Sequence, residues 1–240
     1  MPSDRANTSL RRTPRFAVEL IAISAGVFLG LAADAAWDTK KDRAREADYL
    51  TELHGEMLVV REELAEDHRR VDRWFATSDS ILIELQARTV PDAALNVWIQ
   101  GIGMSIARFF PPSSVLTDLV SSGSLGLLRS DDLRFALLEY QQRRERVRFL
   151  EDDERSANES GLRPYLAQHF TWVDFSGDPI TTNRPVVVRH DRWRSMLADP
   201  LFRNLVAIKR QRLGRVRGRY AELLRDVDEL ILLIERDIEG

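Results

Sequence analysis

From Leu50 onward the apolar residues of this chain fall at positions 50, 53, 57, 60, 64, 71, 74, 81 and 85, with Asp67 and Ser78 as polar members of the same series. The steps alternate three and four. That is the a/d signature of a helix that buries one stripe along its whole length. Tyr49, Leu58, Val59, Phe75, Leu82 and Ile83 widen the stripe beyond a bare two-stranded seam, which suits a helix inside a multi-helix bundle. Near the other terminus Leu213, Val216, Tyr220, Leu223, Val227, Leu230 and Ile234 repeat the pattern, and Leu224, Ile231 and Ile238 widen it. Asp199-Pro200 opens that second helix, with Asp as N-cap and Pro at the first helical position. Gly214 and Gly218 are its weak spots, at about 1 kcal/mol each against Ala. Residues 50–88 and 200–238 are of equal length, so the pattern predicts two long antiparallel helices.

Ahead of the first stripe lies Phe16–Trp37, reading FAVELIAISAGVFLGLAADAAW. As a helix these 22 residues span roughly 33 Å, near the thickness of a bilayer's hydrocarbon core. Glu19 and Asp34 sit towards the ends, where a carboxylate reaches the interface at lower cost, and Trp37 is placed as an interfacial anchor. The expected organisation is a short basic tail (1–15), a transmembrane helix (16–37) and a helical bundle domain (38–240). Two other readings compete. Ala33-Asp34-Ala35 resembles a signal-peptide cleavage site, although the apolar stretch exceeds the usual length, and a buried soluble helix would tolerate Glu19. Arg5, Arg11, Arg12 and Arg15 precede the segment, and Lys40, Lys41, Arg43 and Arg45 follow it, so cations tie. The short tail favours a cytoplasmic N-terminus and an extracytoplasmic, periplasmic body, since long domains translocate largely regardless of charge. Ala22, Gly26 and Gly30 recur every four residues, the spacing at which small residues let two helices in lipid approach closely. They are the candidate helix-packing residues, with a second copy or a partner membrane protein as the occupant.

Between the long helices the chain is busier. Pro91-Asp92 opens a helix predicted to run to Phe110 and stop at Pro111-Pro112, with Gly101-Ile102-Gly103 marking a kink or a close contact. Thr117–Val120 reads as one or two helical turns ending at Gly123. Ser130-Asp131-Asp132 caps a helix carrying Leu133, Leu137, Tyr140 and Val147 to about Glu154. Gly161–Phe170 is a shorter helix, and Asp191 caps another through Leu197. Thr171–Phe175 and Pro185–Arg189 flank Gly177-Asp178-Pro179 and are the strand-like runs, a candidate small β-hairpin. The fold class is therefore all-α in the main, an N-terminal transmembrane helix followed by an elongated helical bundle.

Several short motifs together carry a resemblance. Glu19 near the start of the apolar helix, Trp37 at its end, Tyr49-Leu50-x-x-Leu53, the segment LVSSGSLGLLR from Leu119 to Arg129, Leu133–Tyr140, and a late Phe202-Arg203-Asn204 occur in order. The pattern resembles an uncharacterised family of bacterial single-pass membrane proteins. The resemblance implies an inner-membrane location and a helical architecture, and no activity. Within the Leu119–Arg129 segment, Leu125, Leu127 and Leu128 are expected to plug the bundle after a helix end at Gly123.

Composition narrows the chemistry. There are no cysteines, which removes disulfides, thiolate nucleophiles and Cys-based metal sites. The net charge of −3 argues against a nucleic-acid binder working by bulk charge. None of His54, His68, His169 and His190 sits in a di-iron or zinc motif, and there is no nucleophile elbow, P-loop or dinucleotide loop. No catalytic, cofactor-binding or metal-ligating residue is therefore nominated. The acidic run Glu151-Asp152-Asp153-Glu154 reads as a solvated helix end, and the cation-rich run Lys209–Arg219 as a solvated face paired with neighbouring acids. Lys209 is one of three lysines among 35 cations. The expectation is a membrane-anchored, non-enzymatic interaction or structural module of bilayer and protein partners. The alternative is an extracytoplasmic ligand-sensing bundle that signals through a partner.

Overall fold

The computed structural model describes residues 13–87, 98, 100–169 and 195–239, and every regular element among them is helical. The described chain divides into two compact units, Met1–Tyr49 and Leu50–Gly240. The elements in order are α1 (Thr13–Ala87), a π-helical turn (Gln100–Met104), α2 (Ser114–Ser121), a 3-10 turn (Ser124–Leu127), α3 (Asp131–Ala157), a second π-helical turn (Asn158–Leu162), α4 (Arg163–His169) and α5 (Pro200–Glu239). The candidate hairpin strands, Thr171–Phe175 and Pro185–Arg189, lie outside the described residues.

In the first unit α1 carries the apolar segment fully exposed. Leu20, Ile21, Ile23, Val27, Phe28, Leu29, Leu31 and Trp37 all face outward. Among the described residues this is the one helix long and apolar enough to cross a membrane, with a mean hydropathy of 1.8 and none of the window buried.

In the second unit the three-four stripes become the core. Leu50, Leu53, Met57, Val60, Leu64, Val71, Ile81 and Leu85 of α1 are buried, and so are Leu213, Val216, Tyr220, Leu223, Val227, Leu230 and Ile234 of α5. Ser78 keeps its place in the α1 stripe by donating its hydroxyl to the Trp74 carbonyl at 2.9 Å. Ion pairs fix the direction of the two long helices. His54, Arg61, Asp72 and Asp79 of α1 meet Glu235, Asp228, Arg217 and Arg210 of α5. Each advance of 7, 11 and 7 residues along α1 is matched by an equal retreat along α5. Both steps are close to whole numbers of helical turns, so the four pairs line one edge of an antiparallel pair. Gly214, weak by propensity, has a packing reason. A methyl added there would come within 3.1 Å of the Phe75 ring, which Arg210 and Arg217 cover at 4.7 and 5.2 Å.

The helix predicted through Phe110 ends earlier. The helical turn stops at Met104, and residues 105–113 have no regular structure. Pro111-Pro112 forbids helix at the far end, and side chains of α3 take the amide groups that a helix would have used inwardly. The turn expected at Gly123 is present, with Gly123 at φ 73° closing α2. Ser130 caps α3 by accepting from the Leu133 amide at 3.2 Å. Asp199 caps α5 by accepting from the Leu201 amide at 2.8 Å, and it also takes the Tyr165 hydroxyl at 2.7 Å. Of the three leucines expected as plugs, Leu128 is buried and Leu125 and Leu127 are half-buried. A second apolar cluster closes the opposite end of the bundle, where Ile81, Leu85, Ile102, Tyr165, Leu166 and Phe202 meet.

Candidate functional site

A chain segment that crosses a protein interior without helix or sheet partners must find other groups for its amides and carbonyls, since each left bare costs a few kcal/mol. Residues 103–116 solve this with side chains from α1, α3, α4, α5 and the second π-helical turn. On α3, Glu151 accepts from the Phe109 amide at 3.1 Å and Glu154 from the Ala107 amide at 3.4 Å. One helical turn on, Asn158 donates to the carbonyls of Gly103 and Ser105 at 3.3 and 3.2 Å. Lys209 of α5 donates to the same Ser105 carbonyl at 2.9 Å, and Arg163 to that of Gly103 at 3.2 Å. From α1, Glu56 accepts from the amides of Val115 and Leu116 at 2.8 and 3.3 Å, which caps α2 from another helix where Ser113 makes no side-chain cap. Two helix positions on one face, three residues apart, thus match the alternate amides of Ala107 and Phe109.

These residues correct the reading of both charged runs. Glu151 and Glu154 are not a solvated helix end. They continue the buried stripe of α3, while Asp152 and Asp153 face outward and pair with Arg155 and Arg212. The physical reason is helical period: 147, 151, 154 and 158 share one face, and 152 and 153 do not. Likewise Lys209 is not on a solvated face. Its side chain is 3% exposed and pairs with that of Glu154, which is fully buried. The signal was present in the spacing, since 202, 206, 209 and 213 extend the α5 stripe backwards in steps of four and three. Arg210, Arg212, Arg217 and Arg219 do pair with acids, as expected of their run.

Burial sets the electrostatics. It lowers the Lys209 ammonium's proton affinity, and the Glu154 carboxylate opposes that by favouring the charged form. Burial raises the Glu151 carboxyl to about 7, against donation from the Tyr220 hydroxyl and the Phe109 amide. Tyr220 is itself pushed up by burial and by its acidic acceptor. The Tyr140 hydroxyl, buried with no hydrogen-bond partner among the described residues, is pushed up to about 12 by the same cause.

Outside this network is a cleft of about 410 Å³ between Arg108–Pro111 and α3. Arg144, Val147, Arg148, Glu151, Asp152 and Arg155 form the α3 wall. Glu151 therefore joins the buried network to a solvent-facing hollow, whereas Glu154 and Lys209 are sealed behind it.

The other candidates lie apart. Gly26 and Gly30 stand in open space, with nothing within 4 Å of an added methyl, and Ala22 beside them is exposed. His54 pairs with Glu235 at 3.1 Å, and His169 bonds the Tyr165 carbonyl at 2.8 Å. His190 lies outside the described residues. No group of three or more metal-ligating side chains occurs among the described residues. No family model, no curated protein and no solved structure matches this chain.

Proposed function

We propose that this protein is a single-pass membrane protein of the bacterial inner membrane whose helical body serves as a non-enzymatic interaction or structural module. The observation that carries this is the exposed apolar segment. Its window has a mean hydropathy of 1.8 and no part of it is buried, so nothing in the described chain removes it from water. At ~25 cal/mol per Å², leaving such a helix in water is costly, and lipid relieves that cost. A cytoplasmic N-terminus and an extracytoplasmic body belong to this reading, since long domains translocate largely regardless of charge. Ala22, Gly26 and Gly30 present a small-residue face on which a second copy or a partner membrane helix would pack. The non-enzymatic reading is supported by how the buried acids and Lys209 are used, since they hold backbone groups of residues 103–116. The family resemblance agrees with this placement.

The test is fractionation and topology. The chain should stay in the membrane pellet after alkaline carbonate washing, and a reporter fused at the C-terminus should be active outside the cytoplasm. Recovery of the full-length chain in the soluble fraction after gentle lysis overturns the reading. A second reading, an extracytoplasmic ligand-sensing bundle that signals through a partner, is favoured by the arginine-lined cleft.

A further inference from the structure

Many of the described arginines of the second unit are matched with acids. Arg61, Arg143, Arg210, Arg212, Arg217 and Arg219 each pair with a carboxylate. The cleft against α3 gathers three arginines for which no ion pair is seen among the described residues. Arg108 stacks over the Phe110 ring at 4.6 Å, Arg144 reaches only the Ser113 hydroxyl at 3.5 Å, and Arg148 makes no ion pair among the described residues. Arg155 is paired with Asp152 at 3.0 Å, yet its buried Nε has no hydrogen-bond partner among the described residues. Guanidinium groups around one hollow repel one another, and a bound anion removes that cost. Their planar forks suit the two oxygens of a carboxylate or phosphate. Phe109, Pro111 and Val147 supply an apolar lining, and the volume of about 410 Å³ lies in the range of small-molecule clefts.

We propose that this cleft binds a small anion made of a carboxylate or phosphate group on a compact apolar body, the oxyanion held by Arg108, Arg144 and Arg148. The site stands on the second unit alone and depends neither on the membrane anchor nor on its sidedness. Two carboxylates line the same hollow: Asp152 is matched by Arg155, and burial draws the Glu151 carboxyl towards the neutral form, which reduces its repulsion of an incoming anion.

The experiment titrates the full chain, in uncharged detergent, with phenyl phosphate, inorganic phosphate and phenol by calorimetry. The expected order is saturable binding of phenyl phosphate, weaker binding of inorganic phosphate and none of phenol. Arg108→Gln with Arg148→Gln should weaken phenyl phosphate at least tenfold. Arg215→Gln, an exposed arginine outside the cleft, should leave it unchanged. Both variants are first checked for unchanged helicity and melting. If the cleft pair melts early, Arg148→Gln alone is used, with at least threefold weakening expected. Repeating the titration in nanodiscs of phosphatidylcholine and of phosphatidylglycerol separates the ligand's source. Loss of phenyl phosphate binding only in the anionic discs assigns the cleft to a lipid headgroup, and equal binding in both assigns it to a soluble anion. Either result supports an oxyanion site. No saturable binding of phenyl phosphate, equal binding of phenol, or equal weakening by Arg215→Gln overturns it.

Discussion

Replacing Glu151 with Gln should make the protein more stable above neutrality and leave it unchanged in acid. Glu151 sits 5% exposed, with both its donors, the Phe109 amide and the Tyr220 hydroxyl, on the same oxygen, Oε1. Burial outweighs those bonds and lifts the carboxyl from 4.5 to about 7. The folded carboxyl therefore keeps its proton over a window in which the unfolded one has lost it. The stabilisation is fully present below pH 4.5 and is lost as pH rises through about 7. At ~1.36 kcal/mol per pH unit, the gap from 4.5 to about 7 amounts to about 3 kcal/mol as an upper figure. Gln keeps the accepting oxygen and carries no charge at any pH. Urea unfolding of the full chain in uncharged detergent, followed by circular dichroism at pH 4.5, 6 and 8, measures the difference between wild type and Glu151→Gln. Near-equality at pH 4.5 and a variant more stable by up to about 3 kcal/mol at pH 8 are expected. A difference that stays constant across the three pH values refutes the reasoning, because it would mean that folding does not shift the Glu151 carboxyl.

The buried pair behind it gives an opposite sign. Glu154→Ala leaves Lys209 without its counter-charge and frees the Ala107 amide, so unfolding should be easier by about 3–5 kcal/mol, while Glu154→Gln combined with Lys209→Met should cost clearly less in the same urea titration. Gly103→Ala places a methyl 2.5 Å from Cδ1 of buried Leu166, so about 1–3 kcal/mol of stability should be lost, visible as a lowered melting temperature. Gly26→Leu with Gly30→Leu meets open space within the chain and should leave helicity and melting unchanged, while crosslinked dimers or partner adducts in membranes decline. Unchanged crosslinking removes the packing role of that face.

The long helices were legible because burial of one face imposes its own period on a sequence. Leu50 to Leu85 and Leu213 to Ile234 carry that period openly, and Ser130, Asp199-Pro200 and Gly123 mark boundaries by chemistry that acts within a turn. Where the interior face is filled by charged residues, the same period is harder to see. Lys209 sits in register with Val206 and Leu213, and Glu151 and Glu154 with Val147 and Asn158, but hydropathy alone assigns such residues to solvent. The cleft was not legible, because Arg108 and Arg148 are forty residues apart and meet only through the path of the segment between them.

Local sequence by itself determined the helical class, the caps, the apolar segment and the two apolar stripes, since each depends on neighbours within one or two turns. Tertiary structure decided the uses of the charges. An ion in the interior is tolerated only when partners from distant elements converge on it, and for Glu56, Glu151, Glu154 and Lys209 those partners are largely backbone groups of residues 105–116. That convergence is a property of the packed chain, and no spacing along it contains the answer.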